Sequence, residues 1–111
     1  MDPIAHIAAK VDWQSAQKSG AYHPPSLQNE GFIHCSNPSQ VLNTANRYFI
    51  SRQDLVLLWI DPPKIEAELR WEAVHGELFP HIYGPLNLDA IFQVQEFYPG
   101  PDGRFTELPG F

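Results

Sequence analysis

GFIHCSNPSQVLNTANRYF, residues 31–49, reads as a short strand that runs directly into a capped helix, and the fold is built outward from it. Phe32 to Cys35 is a bulky apolar run behind Gly31, the composition of a strand leaving a turn. Strand alternation sets Phe32, His34 and Ser36 on one face and Ile33 and Cys35 on the other. Asn37 is a good N-cap, Pro38 suits the first helical position, and Gln40 stands where the partner in a capping box reaches back. The helix therefore starts at Pro38. Its residues Val41, Leu42, Ala45, Tyr48 and Phe49 fall at i, i+1, i+4, i+7 and i+8, an apolar stripe that must face a core. His34 and Ser36 emerge beside the helix N-terminus, where backbone N–H groups favour an anionic or phosphate-bearing ligand.

The 111 residues suffice for one domain, spanning 1–111, with a single core. The formal charge of -6, from 7 basic and 13 acidic side chains, argues against binding long nucleic acid, which needs clustered Lys and Arg. A small nucleotide is compatible with it. The longest apolar runs fall far short of the roughly 20 residues needed to cross a bilayer, and the N-terminus lacks a signal pattern. The expectation is a cytoplasmic protein without a membrane partner. A single cysteine forms no internal disulfide and no cysteine-based zinc site.

Pro3 to Ala9 reads as a strand that is apolar on both sides, hence central, with His6 as its odd residue. Asp12 caps a helix over Trp13 to Ser19, stopped by Gly20. Tyr22, Pro24 and Pro25 form a rigid loop, and Ser26 caps one helical turn before Gly31. LVLLWI, Leu55 to Ile60, is a continuous apolar run and so a buried strand. Leu69 to Val74 alternates, and His75 and Gly76 turn it. Leu78 to Tyr83 contains Pro80 and is read as an edge or irregular strand. A last strand surrounds AIFQVQEF, and residues 99–111 form a turn-rich surface tail. Two main helices confined to the first half, with five or six strands, give an α+β domain with a mixed or antiparallel sheet. Its oligomeric state is not encoded in any pattern of the chain.

His34 with Ser36 and His81 with Tyr83 are i, i+2 pairs, each projecting from one strand face. Polar groups thus recur where a core face should be apolar; a cleft is one way to satisfy them, and the bland alternative is that each histidine is a hydrogen-bonded core or surface residue. A zinc site of His6, His34 and His81 is weighed and set aside, because no pair has a local metal-binding spacing, and no metal is expected. Cys35 points away from His34 and cannot pair with it as nucleophile and base. Glu72, after Trp71, is the best-placed single carboxylate for catalysis. Its bland alternative is a solvated strand residue.

AHIAAKVDW, GAYHPPSLQNEGFIHCS, QVLNTANRYF, LVLLWID, LRWE and FPHIYGPLNLDAI together resemble the DUF952 family, small bacterial proteins of unknown function. That group has been proposed as a branch of the ADP-ribosyltransferase-like fold, and GFIHCSNPSQVLNTANRY is similar to the pattern of the poly(ADP-ribose) polymerases. The resemblance implies NAD as a substrate and a small nucleotide as the partner. It makes His6 the first-strand histidine on a ribose hydroxyl, puts His34 where many relatives have a nicotinamide-stacking tyrosine, and starts the helix cap at Ser36. Glu72 is the candidate for the late-strand glutamate, with His81 or Tyr83 as alternatives for that region. The catalytic set is then His34, Glu72 and His81, and the cofactor-binding set His6, Tyr22, Ser36 and Tyr83. Two rivals to a nucleotide transferase stay open. One is a module that binds a nucleotide or metabolite without turnover, and the other is a partner-binding domain using Tyr98, Phe105 and Phe111.

Overall fold

The computed structural model describes residues 2–110. In chain order the elements are β1 (Ile4–Ala9), α1 (Lys10–Ser19), β2 (Ala21–Tyr22), α2 (Pro25–Glu30), β3 (Ile33–His34), α3 (Val41–Tyr48), β4 (Leu55–Ile60), β5 (Glu68–Val74), β6 (Glu77–Tyr83), β7 (Leu86–Asn87) and β8 (Ile91–Phe97). All six residues of β4 are buried, as a continuous apolar run requires of a strand covered on both faces. It lies between β1 and β8, antiparallel to both. A second antiparallel sheet has the order β3, β6, β5, and β2 pairs with β7. The chain is a small α+β domain of antiparallel sheets and few helices.

The two larger sheets meet at one seam. Ala5 and Ser36 exchange both backbone hydrogen bonds, each at 2.8 Å, so the free edge of β1 is stitched to the residues just after β3. β1 is therefore central in effect, with β4 along one side and this single bridge on the other. Ile4, Ala8, Val56, Leu58 and Ile60 face Ile33, Cys35, Ile82 and Tyr22 in one core layer. On the opposite side Ala5, Ile7, Leu55, Leu57 and Trp59 pack under Val41 and Ala45 of α3 and against Phe97 and Phe105.

The capping box forms as the sequence indicates. The Asn37 N–H donates to Gln40 Oε1 at 2.9 Å, and a 3-10 turn over Pro38–Gln40 leads into α3. The αL glycines Gly20 and Gly31 end α1 and α2. His75 and Gly76, both at positive φ, make the two-residue turn from β5 to β6.

Five readings need correction. Helix α1 begins at Lys10 rather than Trp13, because the Lys10 N–H is satisfied by Asp54 O at 2.8 Å, and Asp12 sits in the first turn instead of capping it. Helix α2 likewise begins at Pro25, ahead of Ser26, with Pro24 as N-cap. Strand β6 is the middle strand of its sheet despite Pro80. Cys35 N–H donates to Pro80 O at 3.0 Å, and the return bond is the one a proline cannot give, so pairing with β3 ends there while pairing with β5 continues. Tyr48, placed in the core stripe by its spacing, is 60% exposed.

The fifth concerns the segment after β8, which does more than lie on the surface. Phe105 is buried and stacks on Phe97 with ring centroids 4.8 Å apart. The Asn46 carboxamide grips its backbone, donating to Phe105 O and accepting from Phe105 N–H, both at 2.8 Å. Gly103 has φ 83° and packs so closely on Ser51 that a Cβ there would stand 2.2 Å from Oγ. With Phe105 inside and Phe111 outside the described residues, only Tyr98 of the three tail aromatics is seen exposed. Phe105→Ala should cost about 3 to 5 kcal/mol in urea denaturation, as for other buried aromatics. Leu42→Ala should cost near 2 kcal/mol, the low end for a core leucine, because Leu42 is only half-buried.

Candidate functional site

Register decides where the chemistry lies. His34 pairs with His81, and His81 pairs with Arg70 on its other side, so these three side chains share one face of the β3-β6-β5 sheet. Alternation adds Phe32, Tyr83 and Glu72 to that face and sends Ile33, Cys35 and Ile82 into the core. The polar residues expected to interrupt a core face instead occupy the sheet's other face, turned away from it. Phe32 covers them. Its ring stacks on His81 at 4.3 Å between centroids and leans on His34 at 4.6 Å and on Tyr83 at 5.2 Å.

Each of the two imidazoles there has a carboxylate. His81 Nδ1–H donates to Glu72 Oε1 at 2.8 Å, and the Tyr83 hydroxyl donates to the same oxygen at 2.6 Å. Tyr83 first, and His81 second, hold the Glu72 carboxyl below the usual carboxylate range. The Arg70 guanidinium lies 4.2 Å from the Tyr83 ring and is itself chelated by Glu68. His34 Nε2 meets Glu30 Oε2 at 3.0 Å, and the His34 and His81 rings stand edge to face at 5.4 Å. Among the described residues His81 Nε2 makes no hydrogen bond and none of their buried side-chain nitrogens or oxygens lacks a partner, so this atom keeps some solvent access in a residue that lines the cleft.

His6 sits at the seam, 7% exposed. One ring nitrogen, Nδ1, is 2.5 Å from His34 O and the other, Nε2, 2.7 Å from the Tyr22 hydroxyl. A carbonyl only accepts, so Nδ1 carries the proton and Nε2 accepts from Tyr22. Burial lowers the His6 pKa from 6.5 to about 4 and pushes the Tyr22 phenol up, which keeps both neutral. His6 has no ring nitrogen left for a ligand, so the role on a ribose hydroxyl is not open to it in this arrangement.

A cleft of about 990 Å³ runs along this region. His6, Tyr22, His34, Ser36 and His81 line it, while Glu72 and Tyr83 stand behind His81 and do not. Its opposite wall is helix α3, through Asn43, Thr44, Arg47 and Tyr48. Sequence reading passed over Asn43, Thr44 and Arg47 and assigned Tyr48 to the core stripe, although Asn43 and Arg47, one turn apart, lie across the helix from Val41 and Ala45. Ser36 Oγ touches this wall at Thr44 Oγ1, 3.4 Å away. Cys35 is buried and its thiol is pushed up by that burial, in keeping with a small core residue. Among the described residues no group of three His, Cys, Asp or Glu side chains is arranged to hold a metal ion, and no helix is long and apolar enough to cross a membrane.

Comparison with known proteins places these features in a family. The model of the family described as "Protein of unknown function (DUF952)" matches residues 7–94. The crystal structure of protein CC0527 from Caulobacter crescentus is 29% identical with a TM-score of 0.86, covering 94% of this chain and 93% of that one. Its solution NMR structure is 30% identical with a TM-score of 0.80, covering 94% and 91%. No curated protein matches.

The neutral His6 gives the domain an acid sensitivity. Below pH 6.5 the unfolded chain takes a proton on His6 that the folded chain refuses until about pH 4, so stability should fall as the pH drops through that window. At 1.36 kcal/mol per pH unit the loss is roughly 3 kcal/mol. Urea midpoints measured between pH 7 and pH 4 should show it, and His6→Gln, which cannot titrate, should flatten the slope. An unaltered slope in that variant would assign the sensitivity elsewhere.

Proposed function

We propose, for a chain that belongs to the DUF952 family, that the cleft takes a small ribose-bearing nucleotide of the NAD or ADP-ribose class. In this reading His81 does acid-base work on it. The observation that carries the reading is the His81 imidazole itself, in the cleft lining, with Nδ1–H fixed on Glu72, Nε2 keeping some solvent access and His34 beside it. A carboxylate on one nitrogen fixes the tautomer and leaves the other as the acceptor, so in this reading Nε2 takes a proton from a ligand hydroxyl and returns it. Phe32 and His34, both partly exposed, also offer flat faces suited to a nicotinamide or nucleobase. The likeness of GFIHCSNPSQVLNTANRY to the poly(ADP-ribose) polymerase pattern supports the same ligand class and an ADP-ribosyltransferase-like fold.

In this reading Glu72 is a positioning residue, acting through His81. The transfer of ADP-ribose passes through an oxocarbenium-like state that calls for negative charge at the sugar. Glu72 Oε1 is already occupied by Tyr83 and His81, and the residue stands outside the cleft lining. That observation favours a second reading, in which the cleft holds the nucleotide without breaking its glycosidic bond.

Thermal shift with NAD, ADP-ribose and nucleotide 2'-phosphates tests the ligand class. A ligand at 100 times its Kd should add about 2.7 kcal/mol of stability. His34→Ala should leave melting nearly unchanged and remove that shift, whereas a purely structural His34 would lower melting on its own. Isotope-labelled NAD then separates the two readings by whether a product forms. In the catalytic reading His81→Ala and Glu72→Gln both suppress product, with Glu72→Gln changing kcat more than KM.

A further inference from the structure

Helix α3 presents two exposed side chains to the cleft that the core does not use. Tyr48 falls on the spacing of the apolar stripe, yet it is 60% exposed and lines the cleft. Arg47, also exposed and also on the cleft wall, makes no hydrogen bond or ion pair among the described residues. Arg52, the cleft's other arginine, is taken up by Asp54 through two bonds of 2.9 and 2.8 Å. Arg47 is thus the uncommitted arginine of a site in a chain of net charge -6.

We infer that this wall of α3 is the subsite for the phosphate of the ligand, with Arg47 pairing the phosphate oxygens and Tyr48 stacking on the flat ring attached to it. The inference rests on the nucleotide reading above and narrows it to phosphorylated nucleotides over free nucleosides. A guanidinium presents paired donors that match phosphate oxygens, and an exposed tyrosine offers a π-face to any base. Asn43, one turn before Arg47 on the same wall, adds amide donors. The acidic groups of the cleft lie on its other walls: Asp12 on α1, Glu30 bound by His34, and Glu77 within 3.4 Å of Gln40 Nε2. The α3 wall thus carries an arginine and an amide and no carboxylate of its own.

The test is calorimetric titration of adenosine, AMP and ADP-ribose into the full chain and into Arg47→Gln, Arg47→Lys and Tyr48→Ala. AMP and ADP-ribose should bind at least about tenfold more tightly than adenosine, the worth of one charge-assisted pair. Arg47→Gln should erase that preference, Arg47→Lys should restore part of it, and added salt should shrink it. Tyr48→Ala should weaken all three ligands by roughly tenfold. Because both side chains are exposed, the variants should melt with the parent chain. Adenosine binding as tightly as AMP, or Arg47→Gln keeping the preference, overturns the inference and leaves the nucleotide reading standing. If none of the three ligands binds the parent chain, both are overturned.

Discussion

The seam between β1 and the end of β3 is the constraint on which the rest of the molecule depends. A β-strand edge carries unpaired N–H and C=O groups, and burying such an edge without partners is costly. Here the edge of β1 is closed by the Ala5 and Ser36 backbone pair and by the His6 ring reaching the His34 carbonyl. The second contact substitutes a side chain for a missing ladder bond. It works only with His6 neutral, which burial enforces, and only with Nδ1 protonated, which the carbonyl dictates. Tyr22 completes the arrangement by filling the other nitrogen. A protonated His6 would put an acceptorless N–H against the Tyr22 hydroxyl's own proton unless that hydroxyl turned, so one ionisation disturbs three elements at once.

Once the seam is made, the site follows from alternation. Strand β3 is two residues long, yet it decides two environments, because Ile33 and Cys35 go inward and Phe32 and His34 go outward. Pairing with β6 then brings His81 beside His34, and pairing of β6 with β5 brings Glu72 within reach of His81 Nδ1 and the Tyr83 hydroxyl. Two imidazoles backed by carboxylates on an aromatic-covered face form without any residue leaving its regular strand direction. Helix α3 closes the cleft from the other side because its Val41 and Ala45 are committed to the sheet, leaving Asn43, Arg47 and Tyr48 to face outward.

Local rules reach a definite limit in this chain. The capping box at Asn37 and Gln40, the buried strand at Leu55 to Ile60, the turn at His75 and Gly76 and the glycine stop at Gly20 were legible, because each depends on residues within a few positions of one another. Of the site residues expected from the sequence, His6, Tyr22, His34, Ser36 and His81 line one cleft, while Glu72 and Tyr83 stand outside its lining, because alternation gives the face of a residue but not which neighbour covers it.

What tertiary structure alone decided is which neighbour comes alongside each element. Pro80 suggested an edge, but a proline excludes only the bond its own nitrogen would make, and the chain directs that nitrogen to where β3 ends. The stripe spacing assigned Tyr48 to the core, but Val41, Leu42, Ala45 and Phe49 meet the cluster on that side, and Tyr48, at the stripe's edge, reaches the cleft instead. Phe105 had no periodic neighbours to mark it, and it is buried because Asn46, fifty-nine residues earlier, hydrogen-bonds its backbone. The sequence by itself determined the elements and which faces of them are apolar, because backbone sterics and hydrophobic period act within a segment. The tertiary structure decided that His6 closes a seam, that Glu72 stands behind His81 and that Arg47 is without a partner among the described residues, because partners for buried and charged groups are supplied across long sequence separations.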